Sequence, residues 1–141
     1  MFKVDQVDHI HVFVSDQYKA AEWYAKILGL EILEEHEDWA FDGGPLTISS
    51  DGGNTSLALF QKGNSGETNR STVAFRVTAE NFLRFLTLLD ENEVFGLNGH
   101  RVSRKDVSDH EKAYSIYLCD EDKNPIEITT YEYELVKGRL N

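Results

Sequence analysis

The stretch VDHIHVFVSDQYKAAEWYAKIL, residues 7–28, predicts a strand that leads directly into a helix. From Val7 to Val14 apolar side chains alternate with other side chains, which is typical of a half-buried strand. Asp16 follows as a candidate N-cap. Apolar residues then recur at helical spacing up to Leu28, and Gly29 stands where a helix would end.

The same order of elements returns in the second half of the chain. Ser71–Val77 is predicted to be a strand and Thr78 an N-cap, and the residues after them carry the apolar stripe of a second helix. Three extended runs follow each helix. These runs are Leu30–Glu35 with Trp39–Phe41, Pro45–Ser49 and Ser56–Gln61 in the first half, and Gly99–Val107, Ala113–Cys119 and Pro125–Tyr131 in the second. The shared order and periodicity predict an internal repeat.

We therefore predict an α+β fold made of two βαβββ modules. The modules span residues 5–61 and 71–131 of a single domain, 1–141, and the polar linker 62–70 joins them. In each module the helix covers one face of the sheet, and the other face needs a partner. The two remaining faces are expected to line one cavity that the modules share.

The alternation separates two kinds of strand face. Residues of one parity are aliphatic or aromatic throughout, as in a face packed under helices. Residues of the other parity are His9, His11, Phe13, Ser56, Ala58, Phe60, Thr72, Ala74, Arg76, Ser115, Tyr117, Glu127 and Thr129. Concave ligand sites have this mixture of apolar and polar groups, so we interpret the second face as the wall of a small-molecule cavity. The alternative is a sheet with one solvated face.

Composition limits the classes of partner. The 141 residues are 40% apolar and 28% charged, with a formal net charge of -11. Because phosphate binding requires clustered Lys and Arg, no nucleic-acid partner is expected. No apolar stretch approaches the length of a membrane span, so no membrane association is expected. The single cysteine, Cys119, fits a reducing compartment, and the expected location is cytoplasmic.

Two stretches carry a family resemblance. DHIHVFVSDQYKAAEWYAKILGLEIL, residues 8–33, resembles the first module of the vicinal oxygen chelate superfamily, which includes glyoxalase I, fosfomycin-resistance proteins, bleomycin-resistance proteins and extradiol dioxygenases. SDHEKAYSIYLCDEDKNPIEITTYE, residues 108–132, resembles the last strands of the second module, most closely in the extradiol enzymes. The resemblance implies the glyoxalase/bleomycin resistance/dioxygenase fold, a half-open barrel around a shared cavity.

The resemblance also implies a divalent metal (Fe, Mn, Ni or Zn) in that cavity. By position, His9 matches the first-strand histidine ligand and Glu127 the last-strand carboxylate. Imidazole and carboxylate groups suit these ions and leave positions open for substrate. The family places further ligands where this chain has Thr72 and Ala58, which are not metal ligands. His11 shares the parity of His9 and is a candidate substitute, although two residues along a strand is an awkward reach to one ion.

Catalytic roles follow from the same resemblance. Tyr117 falls where the ring-cleaving enzymes carry an active-site tyrosine, and His110 matches the histidine of their DHG-type segment, which reads DHE here. A histidine can exchange a proton near neutral pH. Trp39 is a candidate wall of an aromatic pocket, and Arg76 either clamps an anionic substrate or neutralises Glu127. The predicted substrate-binding residues are His11, Phe13, Trp39, Phe60 and Arg76.

Three classes of function remain open from the sequence. The first is a dioxygenase or lyase that acts on a small molecule with vicinal oxygens through a divalent metal. The second is a metal-free small-molecule binding protein of the bleomycin-resistance type, for which the acidic net charge suits a cationic ligand. The third is a module that contributes half a site to another chain. The resemblance implies a homodimer, with the modules paired within one chain or between chains.

Overall fold

The computed structural model of the chain describes residues 1–62 and 69–141. The chain contains two compact units, Met1–Asn69 and Arg70–Asn141. Each unit contains the predicted βαβββ order of elements, with short helices added. Residues 63–68 of the predicted linker lie outside the described residues.

The first unit is built on a four-stranded mixed sheet. Its elements are β1 His9–Val14, α1 Gln17–Leu28, β2 Glu31–Ile32, a 3₁₀ turn Glu34–His36, α2 Asp38–Phe41, β3 Leu46–Ser49 and β4 Ser56–Gln61. The strand order is β1-β4-β3-β2, in which β1 and β4 run parallel and the other neighbours run antiparallel. The first strand of the unit therefore lies beside its last strand.

Both ends of α1 follow from the local sequence. The side chain of Asp16 accepts a hydrogen bond of 3.0 Å from the backbone N–H of Lys19, which satisfies one of the free donors of the first turn. Gly29 ends the helix in the left-handed conformation at φ 68°, and its N–H donates to the Ala25 carbonyl. The helix contacts β3 and β4, and Tyr24 is fully buried.

The second unit repeats this sheet. Its elements are β5 Val73–Arg76, α3 Ala79–Glu91, a 3₁₀ turn Arg104–Asp106, β6 Ser108–Asp109, β7 Tyr114–Cys119, β8 Pro125–Thr130 and α4 Tyr133–Val136. The strand order is β5-β8-β7-β6, again with a parallel pair, β5 and β8, at one edge. The Thr78 side chain caps α3 by accepting from Asn81 N–H, and Phe82, Leu86 and Leu89 are buried as the stripe predicts.

The predicted strand Trp39–Phe41 is wrong. These residues belong to the short helix α2, which Gly43 and Gly44 follow as a turn. A side chain at Gly44 would meet the Trp39 carbonyl oxygen at 2.8 Å, so only glycine fits that turn. Two apolar residues separated by one other residue are too short a pattern to distinguish a strand from a helical turn.

The predicted extended run Gly99–Val107 is also wrong for most of its length. Arg101 forms an isolated bridge, and the strand β6 begins only after the 3₁₀ turn. The reason is a capping box. The Ser103 side chain accepts from Lys105 N–H, and the Asp106 carboxylate accepts from Ser103 N–H at 2.8 Å. These local bonds favour a helical turn over a strand.

The chain after Glu132 forms α4, where Val136 is fully buried. The helix α4 contacts α3, and Arg139, which follows α4, forms an ion pair of 2.9 Å with Glu80 of α3. The longest described helix has 13 residues, and no helix in the described ranges has the length and apolar character needed to cross a membrane.

Candidate functional site

The register of the first sheet sorts the side chains into the two predicted faces. Ile10 pairs with Leu57 and Val12 with Leu59, which places the aliphatic residues together. His9 pairs with Ser56, His11 with Ala58, and Phe13 with Phe60. Because side chains alternate along a strand, the second set shares the opposite face. His9, His11, Phe13 and Phe60 are therefore brought together on one surface of the first unit.

A short chain of polar groups lies at the start of β1. Nδ1 of His9 lies 2.7 Å from a carboxylate oxygen of Asp8, and Nε2 of His9 lies 3.1 Å from Nε2 of His11. An ionised carboxylate only accepts, so Nδ1 of His9 carries the proton in that contact. The Nε2 atom of a neutral His9 then presents a lone pair toward His11.

An aromatic cluster continues this face. The His11 ring lies 4.6 Å from the Phe60 ring between centroids, and Phe13 lies 6.3 Å from Phe60. Asn69 holds the outer edge of β1, because its Oδ1 accepts from Phe13 N–H and its Nδ2 donates to the His11 carbonyl at 2.8 Å. The side-chain amide thus replaces a neighbouring strand and fixes the backbone that carries both rings.

Thr47 adds a polar group that the sequence did not single out. In the register, Ala58 of β4 stands between His11 and Thr47, so the three residues form one row across the sheet. The Thr47 hydroxyl is buried and has no hydrogen-bond partner among the described atoms. Buried hydroxyls are normally paired, so this one is a candidate donor to a bound ligand or water.

The second sheet carries a connected network. Tyr117 pairs with Glu127 and Ser115 with Thr129 on one face, and the Tyr117 hydroxyl lies 3.1 Å from Nε2 of His110. Ser115 Oγ lies 2.8 Å from a Glu127 carboxylate oxygen and donates to it, since the carboxylate only accepts. His110, Tyr117 and Glu127 are thus brought together within the second unit.

The environment keeps Tyr117 protonated. Burial raises the pKa of its phenol, and the negative charge of Glu127 raises that pKa further. The side chain is nevertheless 44% exposed, so its hydroxyl is accessible to a ligand. A neutral phenol beside a histidine can donate a hydrogen bond or a proton to a bound oxygen atom.

Two predicted substrate-binding residues lie apart from these clusters. Arg76 shares the polar face of β5 with Ala74, which pairs with Glu127, yet its guanidinium lies over the Tyr131 ring at 4.8 Å. None of the ion pairs in the described ranges joins Arg76 to Glu127. Trp39 stacks on His36 at 4.3 Å and is half exposed. The arrangement gives these two residues local partners of their own.

The candidate metal ligands are of types that bind divalent ions, but fewer than three of them lie together within the described residues. Within the described ranges no cluster of three or more His, Cys, Asp or Glu side chains forms a metal site. The first unit offers the imidazole nitrogens of His9 and His11, and the second offers the half-buried Glu127 carboxylate. Ala58 is buried, and Thr72 precedes β5. Imidazole nitrogens and carboxylate oxygens are both ligand types that divalent transition metals accept.

Three residues on or beside these polar faces were given no functional role by the sequence analysis. Asp8 precedes β1, so strand alternation does not predict where its side chain points. Thr47 sits in the run LTIS, where its parity with Ala58 is visible only once the antiparallel register is known. Ser115 was placed on the polar face, and its position two residues from Tyr117 is the signal that it adjoins Glu127 across the strand pair.

Comparison with known proteins agrees with this architecture. Residues 6–128 match the family model of the Glyoxalase/Bleomycin resistance protein/Dioxygenase superfamily. The chain is 32% identical over 132 residues to the metallothiol transferase FosB of Staphylococcus epidermidis (strain ATCC 12228), covering 91% of this chain and 83% of that protein.

Solved structures show the same fold at lower identity. Oxidase ChaP-H2 aligns with a TM-score of 0.68 at 21% identity, covering 91% of this chain and 94% of that one. TnmS3, an antibiotic binding protein from Streptomyces sp. CB03234, aligns with a TM-score of 0.61 at 18% identity, covering 93% and 99%. The family match spans most of the chain, and the chain belongs to the glyoxalase/bleomycin resistance protein/dioxygenase superfamily.

Proposed function

We propose that the chain is a metal-dependent enzyme that acts on a small molecule with vicinal oxygens. The observation that carries this proposal is the contact of 3.1 Å between the Tyr117 hydroxyl and His110 Nε2, next to Glu127 on the same face. General acid–base chemistry uses such a group of side chains.

In this proposal His9 and Glu127 are ligands of the divalent metal, which stays within Fe, Mn, Ni or Zn. A bound ion of this kind supplies Lewis acidity toward the oxygens of a substrate. Glu127 keeps its second role as acceptor of the Ser115 hydroxyl, which fixes its orientation. The Asp8 carboxylate does the same for His9 through Nδ1.

The remaining side chains position and protonate the substrate. The neutral Tyr117 hydroxyl can donate a hydrogen bond to a developing negative charge on a substrate oxygen, and burial raises the pKa of that phenol further above physiological pH. His110 takes up or returns the proton at the Tyr117 hydroxyl. In this proposal His11, Phe13 and Phe60 supply an aromatic wall, in which the Phe60 ring is tilted by 47° from each of the other two rings. Arg76, over the Tyr131 ring, and Trp39, stacked on His36, are proposed as further substrate contacts.

A second candidate reaction is thiol transfer. The observation that favours it is the identity of 32% with a metallothiol transferase over 91% of the chain. The chain's own Cys119 does not supply the thiol in this proposal, because it is buried and burial raises its pKa. The thiol would come from a small co-substrate, and the metal would activate its acceptor.

The test is turnover of a defined substrate panel by the intact chain. The panel contains a catechol with dioxygen, a hemithioacetal, and an epoxide with a low-molecular-weight thiol. We expect turnover of one class, its loss on chelation, and its recovery on adding back one of the four metals. Equal turnover with and without chelator contradicts metal dependence. Tight ligand binding without metal or turnover instead supports the binding-protein alternative.

A further inference from the structure

The two histidines of β1 are placed for a common ligand. Nε2 of His9 and Nε2 of His11 are 3.1 Å apart, and the two rings lie 19° from parallel. Adjacent positions of one parity on a strand bring side chains onto the same face. We propose that His9 and His11 together chelate a single divalent cation through their Nε2 atoms. This inference rests on the proposed metal dependence and deepens it by naming the nitrogen ligands.

The distance between the nitrogens suits one ion. Metal–imidazole bonds in proteins are about 2.0–2.1 Å for zinc. Two nitrogens 3.1 Å apart at that bond length subtend an angle of roughly 100° at the ion, between the octahedral and the tetrahedral value. The reach along the strand is therefore shorter than spacing alone suggests, and a single ion can bridge the pair.

The tautomer of His9 leaves its Nε2 atom available to a metal. The Asp8 carboxylate accepts a hydrogen bond from Nδ1–H of His9, so the lone pair of the neutral ring lies on Nε2. In the metal-free chain Nε2–H of His11 donates to the Nε2 lone pair of His9 across the 3.1 Å contact, and metal binding requires that proton to move to Nδ1 of His11, which gives the other neutral tautomer of the ring. The two rings thus lie side by side before an ion binds. Both side chains are exposed, so the small ring rotation that directs both lone pairs at one ion meets little resistance.

The other histidines have different partners. His36 stacks on Trp39, His100 contacts Asn98 and Asp106, and His110 contacts Tyr117. All five histidines of the chain lie in the described ranges, and only His9 and His11 bring two imidazoles together.

The experiment counts coordinated imidazoles in the full chain loaded with Co(II). Each bound imidazole has a remaining ring N–H, which gives an exchangeable proton NMR signal shifted by the paramagnetic ion. We expect two such signals in the wild type and one in His11→Gln. The Co(II) affinity of His11→Gln should fall by more than the roughly 10–100-fold expected from removing an outer-shell partner. His100→Gln is the matched control, with two signals and unchanged affinity.

The outcomes separate this inference from the proposed function. One signal in the wild type, or unchanged affinity in a folded His11→Gln, overturns the chelate while leaving a metal on His9 intact. A wild-type chain that binds neither Co(II) nor Zn(II) overturns both. His11→Ala, checked by circular dichroism and thermal unfolding, repeats the measurement with a side chain that cannot bind metal, so that loss of fold is not mistaken for loss of a ligand.

Discussion

The polar faces of the two sheets differ in how their side chains are held, although the strand orders are the same. On the first sheet, His9 and His11 are exposed, and Asp8 anchors one of them from outside the strand. On the second, buried Ser115 holds Glu127, and Tyr117 joins His110 to the same surface. The first face offers nitrogen lone pairs, whereas the second offers hydroxyl protons.

The shared strand order therefore gives equivalent positions on the two sheets, whereas the residue types at those positions determine their chemistry. In our account the first half contributes nitrogen ligands for a cation, and the second half contributes a carboxylate together with a proton donor. Substitutions on one face should therefore change one property and leave the other intact.

The largest effect is expected from Tyr117→Phe on the second face. The substitution removes the hydroxyl that contacts His110 and keeps the ring. We expect kcat on the substrate identified by the panel to fall by about 10²–10⁴-fold, the usual contribution of a positioned acid or base, with metal affinity unchanged. Tyr18→Phe, which removes a surface hydroxyl bonded to Glu37, is the control and should keep full activity. Equal rates for the two variants would remove Tyr117 from the mechanism.

The next effect is expected from Asp8→Asn on the first face. An amide is a weaker acceptor than a carboxylate for the Nδ1 proton of His9, so the ring loses basicity and orientation. Zn(II) affinity measured by calorimetry should fall by about 10–100-fold. Asp5→Asn removes the same charge nearby and should change the affinity only slightly. A similar loss of affinity in both variants would show that the affinity depends on net charge and not on the contact between Asp8 and His9.

A smaller effect is expected from Ser115→Ala. Its hydroxyl donates to Glu127 from a fully buried position, so removal leaves the carboxylate without that partner. The free energy of unfolding in urea should fall by about 1–3 kcal/mol. Ser50→Ala, at an exposed position of the first unit, should stay within about 0.5 kcal/mol of the wild type. A Ser115→Ala change as small as that of the control would show that Glu127 is held by other groups.

The smallest effect concerns pH. The pKa of Tyr117 is raised above its ordinary value of 10.0, mainly by burial and then by Glu127. Its neutral form stabilises the folded chain, and this contribution is complete below the unfolded pKa and is lost as pH rises through the folded one. The ultraviolet titration difference between wild type and Tyr117→Phe should therefore have a midpoint above 10. A midpoint at or below 10 would contradict the description of its surroundings.

Much of the fold could be predicted because its signals are local. Asp16, Thr78 and Gly29 mark helix ends through bonds to their own neighbours, and strand alternation assigns faces without knowledge of the partner strand. The errors fell where the pattern was short, at Trp39–Phe41, or where a capping box competed with extension, at Ser103. At Ser103 local side-chain hydrogen bonds stabilise a helical turn in place of a strand.

The sequence predicted which residues share the polar strand faces, but it could not predict the contacts between their side chains. Parity placed His9 and His11 on one face, but their separation of 3.1 Å depends on side-chain rotation, which spacing does not determine. The same holds for Arg76, whose guanidinium lies over Tyr131. The sequence did not single out Thr47, because the burial of its hydroxyl and the lack of a partner among the described atoms are visible only in the three-dimensional structure.

We propose that the chain binds a divalent metal and that His9 is one of its ligands. Metal content measured by mass spectrometry tests this most directly. Wild type and His9→Ala would be purified without chelator, incubated with Fe(II), Mn(II), Ni(II) or Zn(II), and desalted. We expect about one ion per wild-type chain and almost none in His9→Ala. A wild-type chain that stays metal-free, or a His9→Ala chain that keeps the full complement, would contradict it.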